Sequence, residues 1–167
     1  MHIVSWNCRG VGNPSKAEAV KYLIKMASPN VLLLQETKVT KEILLSLSKM
    51  NWKKNAGIAV SPRGSSGGLA TLWAEDSFSL ENSFKTRHWI FTEIRHLASK
   101  TSLSILNLHI PVNFQEKKDC WKSLAEYVDA NIPSNMIMVG DLNIMLDPKD
   151  KNRGFCGRDQ NNGIFFF

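Results

Sequence analysis

Three short apolar runs, each followed by a polar residue, constrain the fold of this chain more than any other feature. They occupy residues 2–6, 31–35 and 136–140. Continuous apolar runs of this length predict strands that are buried on both faces, as in a layered α/β protein. Ligands of such proteins gather beyond the carboxyl ends of the strands. We therefore expect the side chains that follow the runs to converge, although they are far apart in the sequence.

The side chains that follow these runs are all hard oxygen donors. They belong to Asn7, Glu36, Asp141 and Asn143. Carboxylate and carbonyl oxygens suit Mg²⁺ or Mn²⁺, and magnesium usually takes one or two protein carboxylates while water and substrate phosphate fill its other positions. The pattern therefore predicts a metal-assisted phosphoester site.

The size and charge of the chain fit one globular domain with an anionic partner. Its 167 residues are 43% apolar, which allows a substantial buried core. The net charge of +6 favours a polyanion such as nucleic acid. Residues 38–54 hold five lysines against the single acidic residue Glu42. That stretch is either part of a nucleic-acid-binding surface or a solvated helix face.

Cysteine usage and hydropathy indicate an intracellular protein, with the nucleus as a possible location. Cys8, Cys120 and Cys156 form no C-x-x-C pair, which is typical of reduced thiols and not of a disulfide framework or zinc site. The chain enters strand-like sequence at residue 2 without a secretory leader, and no apolar run approaches the roughly 18 residues of a membrane span. We expect no membrane association.

Two helices are predicted in the first third of the chain. Asn13 and Pro14 predict an N-cap and a first helical residue, and the helix should continue to about Met26. Thr40 should cap a second helix that ends at about Lys49. The side chains expected to face inward from that second helix are Ile43, Leu44 and Leu47.

The middle of the chain changes to short strand-like runs separated by turns, which predicts hairpins. The loop at residues 62–68 is either a simple hairpin connection or a loop facing the substrate. Apolar residues within 115–130 recur at i, i+3, i+4 and i+7, which predicts a third helix whose stripe packs on the core. The expected strands of the middle region are residues 57–60, 69–73, 78–84, 88–95 and 103–109.

Each candidate site residue has a functional and an ordinary structural interpretation. Glu36 follows a strongly apolar strand and is expected to be a metal ligand, because an ionised carboxylate there needs a cation or donor. Asp141 and Asn143 are two apart, so an extended segment would point them the same way to orient water and hold a phosphate oxygen. The alternative is an ordinary Asp-x-Asn turn. Asn7 is either an Asx-turn residue or a neutral ligand, and Lys38 either pairs with phosphate or is solvated.

Several stretches of the sequence resemble the endonuclease/exonuclease/phosphatase superfamily, in the order found there. The resemblance extends over the whole chain and is greatest to the endonuclease domain of plant non-LTR (LINE-type) retrotransposons. It implies a DNase I-like α/β sandwich of two mixed β-sheets flanked by helices, and Mg²⁺- or Mn²⁺-dependent nicking of DNA. In the mechanism implied, Glu36 and Asn7 hold the ion against the phosphate while Asp141 and Asn143 position water. The stretches that carry the resemblance are residues 3–10, 33–38, 66–73, 140–143 and 147–151.

The sequence also departs from the family pattern. His109 stands where the family usually has a phosphate-contacting tyrosine, and it could donate a hydrogen bond there. The family's last motif, a Ser-Asp-His-like element, is not found after Asn143. We therefore expect residues 1–167 to be a single domain lacking its C-terminal part, with an unpaired sheet edge and at most trace nicking.

Two other functions remain open, and both would use the same surface. The chain is alternatively a non-catalytic nucleic-acid-binding remnant, or a phosphatase of the same superfamily. If it is a fragment of a longer product, a reverse-transcriptase domain in cis is the expected partner. The sequence predicts neither the cleavage specificity nor the oligomeric state.

Overall fold

The computed structural model describes residues 1–64, 66–131, 133 and 135–144 of the chain. The sequence at 147–151 that contributes to the family resemblance, and the thiol of Cys156, lie outside the described residues. The described elements, in chain order, are β1 (Ile3–Asn7), α1 (Pro14–Ala27), β2 (Val31–Gln35), α2 (Lys41–Asn51), β3 (Asn55–Val60), β4 (Leu69–Ala74), β5 (Phe78–Lys85), β6 (Trp89–His96), β7 (Ser102–His109), α3 (Phe114–Asn131) and β8 (Met136–Asp141).

These strands form two mixed four-stranded sheets. The first has the order β1-β2-β4-β3 and the second the order β5-β6-β7-β8. Within them β1 pairs with β2, and β7 with β8, in parallel, while the other neighbours are antiparallel. A parallel pair needs a long crossover, and α1 and α3 supply these two connections. The fold is therefore the predicted α/β sandwich of two mixed sheets flanked by helices.

Side-chain alternation along the strands divides the core into layers. In β2, Leu32 and Leu34 pack with α1 and α2, whereas Val31 and Leu33 pack against the second sheet. In β7, Leu106 and Leu108 pack with α3. Because successive side chains of a strand point to opposite faces, each sheet joins a helix layer on one side and the other sheet on the other.

The helix ends follow local signals that the sequence contains. The Asn13 side chain accepts a hydrogen bond from the Ser15 amide at the start of α1, and the Thr40 hydroxyl accepts one from the Ile43 amide at the start of α2. Ser28 ends α1 in a left-handed conformation with φ 42°. The predicted helices and strands agree with the observed ones to within two residues at each end.

Two sequence expectations are wrong. Ile43 is 51% exposed instead of facing inward, because the buried face of α2 is centred on Leu44 and Ser48. Ser48 can be buried there since its single hydroxyl proton is shared between the Leu45 carbonyl, at 2.8 Å, and Asn55 Oδ1, at 3.1 Å. The three apolar runs are also not all buried on both faces. Only β2 is fully buried, because β1 and β8 lie at sheet edges in the described part of the chain.

Two further sequence expectations concern thiols and membranes. Cys8 and Cys120 are buried and unpaired. Burial raises the pKa of Cys120 to about 11, so its thiol stays protonated at neutral pH. Among the described helices, none is long and apolar enough to cross a lipid bilayer.

Candidate active site

The face between the two sheets changes from apolar to polar along the strand direction. Along β1 the inward side chains are Ile3, Ser5 and Asn7, and along β7 they include Ile105, Asn107 and His109, as the strand alternation requires. The apolar intersheet core thus gives way first to uncharged polar groups and then to the candidate site. On β8 the same alternation leads from Val139 to Asp141. The polar ends of these three strands therefore converge on one end of the sandwich.

A buried hydrogen-bond network lies directly beneath the candidate site. The Gln35 amide nitrogen donates to the Asn107 carboxamide oxygen at 2.7 Å and to the Ser5 hydroxyl at 3.0 Å. The Asn107 amide in turn donates to the Ala70 carbonyl at 2.8 Å. Gln35 and Asn107 are 1% and 0% exposed, so these bonds join β2, β7 and β4 across the sandwich without water. This network fixes the spacing of the two sheets below the site.

Glu36 reaches the site because the chain turns directly after β2. Continued strand alternation would send this side chain toward the helices, but its φ of 52° is left-handed. Backbone hydrogen bonds hold the turn from both sides. The Glu36 carbonyl accepts from the Gly10 amide at 2.7 Å, and the Thr37 amide donates to the Gly68 carbonyl at 3.1 Å. A strained non-glycine residue that its surroundings hold in place is typical of functional sites.

The loop that contains Gly68 supports Glu36 and is not only a hairpin connection. Gly68 has φ 90°, and a Cβ atom on it would overlap the Thr37 hydroxyl. The Gly67 carbonyl accepts from the Lys38 amide at 3.1 Å. Glycine is needed here both for the positive φ and for the close approach of the two loops.

Asn7 joins the two carboxylates of the site. Its amide nitrogen donates to Glu36 Oε1 at 3.0 Å and to Asp141 Oδ2 at 2.7 Å. His109 approaches the same oxygen of Glu36, with Nε2 3.6 Å from Oε1. Four of the residues singled out by the sequence, Asn7, Glu36, His109 and Asp141, are thus brought together from the ends of four strands. Their roles in binding a metal and in catalysis stay predictions.

Asn143 takes a different position from the one expected. The strand ends at Asp141, and Asn143 has φ 48°, so the two residues do not share an extended segment. The Asn143 amide donates to Asp141 Oδ1 at 3.0 Å, which is an Asx turn. Its carboxamide donates to the Ile110 carbonyl at 2.6 Å. Asn143 still borders the site, but its backbone N–H and its side-chain amide both hold the turn in place.

The electrostatic environment keeps Glu36 ionised. Burial alone would raise the pKa of this carboxyl group, but hydrogen bonds from Asn7 and Lys38 and the nearby positive charges outweigh it and lower the pKa. Lys38 Nζ lies 3.4 Å from Glu36 Oε2, with 40% of its side chain exposed. Lys38 is therefore an ion-pair partner of the site as well as a solvated lysine.

The geometry of the site fits a divalent cation. One ligand atom from each of Glu36, His109 and Asp141 lies within 4.8 Å of the others. Two carboxylates this close repel each other, and a cation offsets that repulsion. Hard carboxylate oxygens suit Mg²⁺ or Mn²⁺ better than a soft metal.

Solvent and substrate can reach the site. An open cleft of about 410 Å³ is lined by Ser5 and Asn7 of β1, by Gln35 at the end of β2 and by residues 140–144. A second, enclosed cavity under α1 and α2 is apolar and measures only about 20 Å³, too small for a ligand.

Sequence reasoning missed three residues that support the site. Gln35 and Asn107 are polar residues inside apolar strands, and that interruption is a signal that could have identified the buried network. Lys117 is 5% exposed, and its ammonium donates to the Asn143 carbonyl at 2.8 Å. It precedes Trp121 and Leu124 by four and seven residues, so it extends the apolar stripe of α3 by one turn.

A two-sheet α/β sandwich with carboxylates, an amide and an imidazole at one end defines a class of phosphoester hydrolases. The chain belongs to the Endonuclease/Exonuclease/phosphatase family, whose model matches residues 4–163. No curated protein matches the sequence significantly.

Solved structures share this fold at low sequence identity. The APE2 catalytic domain of Xenopus laevis superposes with a TM-score of 0.69 and 19% identity, covering 89% of this chain and 60% of that one. A 3′-5′ exonuclease from Neisseria meningitidis gives 0.68 and 18%, covering 86% and 58%. A mannosyl-6-phosphatase of Bacteroides thetaiotaomicron gives 0.66 and 13%, covering 85% and 65%. The chain spans less than two thirds of the length of these three proteins, and at such identities the similarity establishes the fold alone.

Proposed function

We propose that this chain is a divalent-metal-dependent phosphodiester hydrolase that nicks DNA, of the LINE retrotransposon type found in plants. The observation that carries the proposal is the meeting of Glu36, Asp141 and His109 around the Asn7 amide. Membership of the family supports phosphoester chemistry. The sequence around Asn7, Glu36 and Asp141 supports the retrotransposon type.

Glu36 would hold Mg²⁺ or Mn²⁺ through a carboxylate oxygen and Asn7 through its side-chain oxygen, which accepts from the Arg9 backbone amide at 3.3 Å, with Asp141 and His109 beside them. When bound, such an ion stabilises negative charge on a phosphate and lowers the pKa of its bound water. The lowered pKa of Glu36 keeps this carboxylate charged, as a metal ligand must be.

Asp141 is suited to orient and deprotonate the attacking water. Oδ1 accepts a hydrogen bond from the Asn143 backbone amide at 3.0 Å, and Oδ2 accepts one from the Asn7 side-chain amide at 2.7 Å. The carboxylate therefore cannot rotate freely. The remaining lone pairs can accept a proton from water. His109, 15% exposed beside Glu36, can donate a hydrogen bond to a phosphate oxygen.

DNA is the proposed partner, because a basic chain concentrates polyanions near its surface. The nucleus is the location that fits this substrate. We also propose that residues 1–167 are one part of a larger catalytic domain, joined to a reverse transcriptase in a longer product. The length of the solved family members supports that extension.

A plasmid-nicking assay tests the proposal. The purified chain should convert supercoiled plasmid slowly to the open-circular form with Mg²⁺, and EDTA should stop the conversion. Asp141→Ala should abolish it, with the fold checked by circular dichroism. Asp129→Ala, which removes an exposed aspartate of α3, is the matched control and should nick like the wild type. Equal nicking by Asp141→Ala and the wild type would contradict the proposal.

Two outcomes would favour the other functions. Salt-sensitive DNA binding without Mg²⁺-dependent nicking would identify a non-catalytic nucleic-acid binder. Release of phosphate from a soluble phosphomonoester, with plasmid left intact, would identify a phosphatase.

A further inference from the structure

Lys117 is a buried cation for which the reaction proposed above has no use. It lies in the first turns of α3 and is only 5% exposed. Its ammonium donates a hydrogen bond to the backbone carbonyl of Asn143 at 2.8 Å. Cys120 and Leu124, the other buried residues of α3, are on the same face and belong to the core. The helix thus presents a charge, among apolar neighbours, to the turn that follows β8.

The turn that Lys117 contacts is the one that fixes Asp141. The Asn143 amide donates to Asp141 Oδ1 at 3.0 Å, and its side chain donates to the Ile110 carbonyl at 2.6 Å. The Asn143 carbonyl accepts from Lys117. The backbone N–H, the backbone carbonyl and the side chain of Asn143 are thus each held by a different partner. Asn143 has φ 48°, a left-handed conformation that is uncommon for non-glycine residues but that asparagine adopts more readily than most.

A charged donor at this place needs a reason, because burying an ammonium costs more free energy than burying a neutral group. A single peptide carbonyl at the edge of a cleft could be satisfied by water. A charged donor makes a shorter and stronger hydrogen bond than a neutral one, so it holds the carbonyl more firmly. The gain is a rigid turn next to a carboxylate that must be oriented for catalysis.

We propose that Lys117 is a positioning residue whose buried ammonium locks the Asp141–Asn143 turn and so keeps the Asp141 carboxylate against Asn7. The catalytic meaning of this contact depends on the proposed function of Asp141. The contact itself does not, and it can be measured without any reaction.

Lys117→Met tests the proposal, because methionine keeps the apolar length of the side chain and removes the donor. Lys118→Met is the matched control, since it makes the same change at the next position of α3, where the side chain is exposed. Lys117→Arg keeps a cationic donor. The first measurement is hydrogen exchange of the Asn143 amide by NMR, and the second is Mn²⁺ affinity by calorimetry.

Lys117→Met should speed exchange of the Asn143 amide at least about tenfold beyond any change in global stability. It should also weaken Mn²⁺ binding about 10- to 100-fold, as loss of a residue that orients a metal site does. Lys118→Met should change neither quantity, and Lys117→Arg should restore most of both.

Several results would overturn the proposal. Unchanged exchange at Asn143 in Lys117→Met, equal effects of the two methionine variants, or a folded Lys117→Arg that exchanges as fast as Lys117→Met would each do so. A Lys117→Met protein that does not fold would assign Lys117 to the core instead. If the wild type binds no Mn²⁺, the proposed function fails, while the exchange measurement still decides the role of Lys117.

Discussion

Asn7 is the residue that allows two carboxylates to lie close together. A third carboxylate at this position would add repulsion, whereas one amide nitrogen donates to both Glu36 and Asp141, at 3.0 and 2.7 Å. The amide also brings no negative charge near an approaching phosphate. A neutral residue between the two acids thus holds their side chains together through two hydrogen bonds and adds no charge to the site.

Glu36→Gln should weaken divalent binding at least about tenfold while keeping the fold, since it keeps the shape of the ligand and removes its charge. The lost ion pair with Lys38 is partly exposed, so the free energy of unfolding should change by less than about 1 kcal/mol. Calorimetric Mg²⁺ titration measures the first effect and urea unfolding the second. Glu126→Gln, which removes an exposed glutamate of α3, is the control. Equal Mg²⁺ affinities in all three proteins would remove Glu36 from the metal site.

The pH dependence of stability should report the environment of Glu36. Burial raises the pKa of this group, but its hydrogen bonds and the neighbouring charges lower the pKa by a larger amount. The folded pKa therefore lies below the unfolded one. The stabilisation is therefore complete above the unfolded value of about 4.3 and is lost as the pH falls through the folded pKa. Urea unfolding of the wild type and Glu36→Gln should show a free-energy difference that changes below about pH 5 and is constant above it. A difference that changes only above neutrality would assign the effect to another group.

At the scale of the elements, local patterns in the sequence were sufficient to predict the described helices and most strand boundaries. Asn13 and Thr40 mark helix starts through hydrogen bonds within one turn, and apolar alternation marks the strands. The expectation that Ile43 faces inward is wrong because an apolar residue near a helix start is compatible with two faces. The inward face is decided by Asn55, which binds Ser48 from the next strand.

The site was only partly predictable, because the sequence shows local signals but not the contacts between distant segments. Asn7, Glu36 and Asp141 could be identified because each ends an apolar run, which is a local signal. The left-handed turns at Glu36 and Asn143 depend on partners far away in the sequence, such as Gly10 and Ile110. Pairing between distant segments is not encoded in hydrophobic periodicity, so neither turn could be predicted from it.

Gly140→Ala should destabilise the end of β8 and displace Asp141. Gly140 has φ 144°, and a Cβ atom on it would overlap backbone atoms of Leu108 in β7. We expect a loss of about 1–3 kcal/mol in the free energy of unfolding, measured by urea denaturation. Gly64→Ala is the control for backbone strain alone, because φ is 62° there and nothing lies within 4 Å of the added Cβ. The same loss in both variants would show that the close approach to β7 contributes nothing.

At the scale of the whole molecule, the strand directions place four basic loop residues at the same end of the sandwich as the site. β1 and β2 end there in register, and the β3–β4 and β5–β6 connections leave from that end. All four side chains are exposed to solvent. They are Arg9, Lys38, Arg63 and Arg87. Lysines at the opposite end include Lys54 and Lys100, so charge alone does not identify the surface that binds DNA.

The salt dependence of DNA binding can distinguish the two ends. If the loops around the site contact DNA phosphates, Arg63→Gln with Arg87→Gln should weaken binding and reduce the slope of log K against log salt by about 1.8, or about 0.9 for each lost phosphate contact. Lys54→Gln with Lys100→Gln removes the same charge from the other end and should leave the slope nearly unchanged. Fluorescence anisotropy of a labelled duplex without divalent ions, at several salt concentrations, gives both slopes. Equal reductions would mean that DNA is attracted by net charge and not bound at the site end, and the substrate assignment would lose its geometric support.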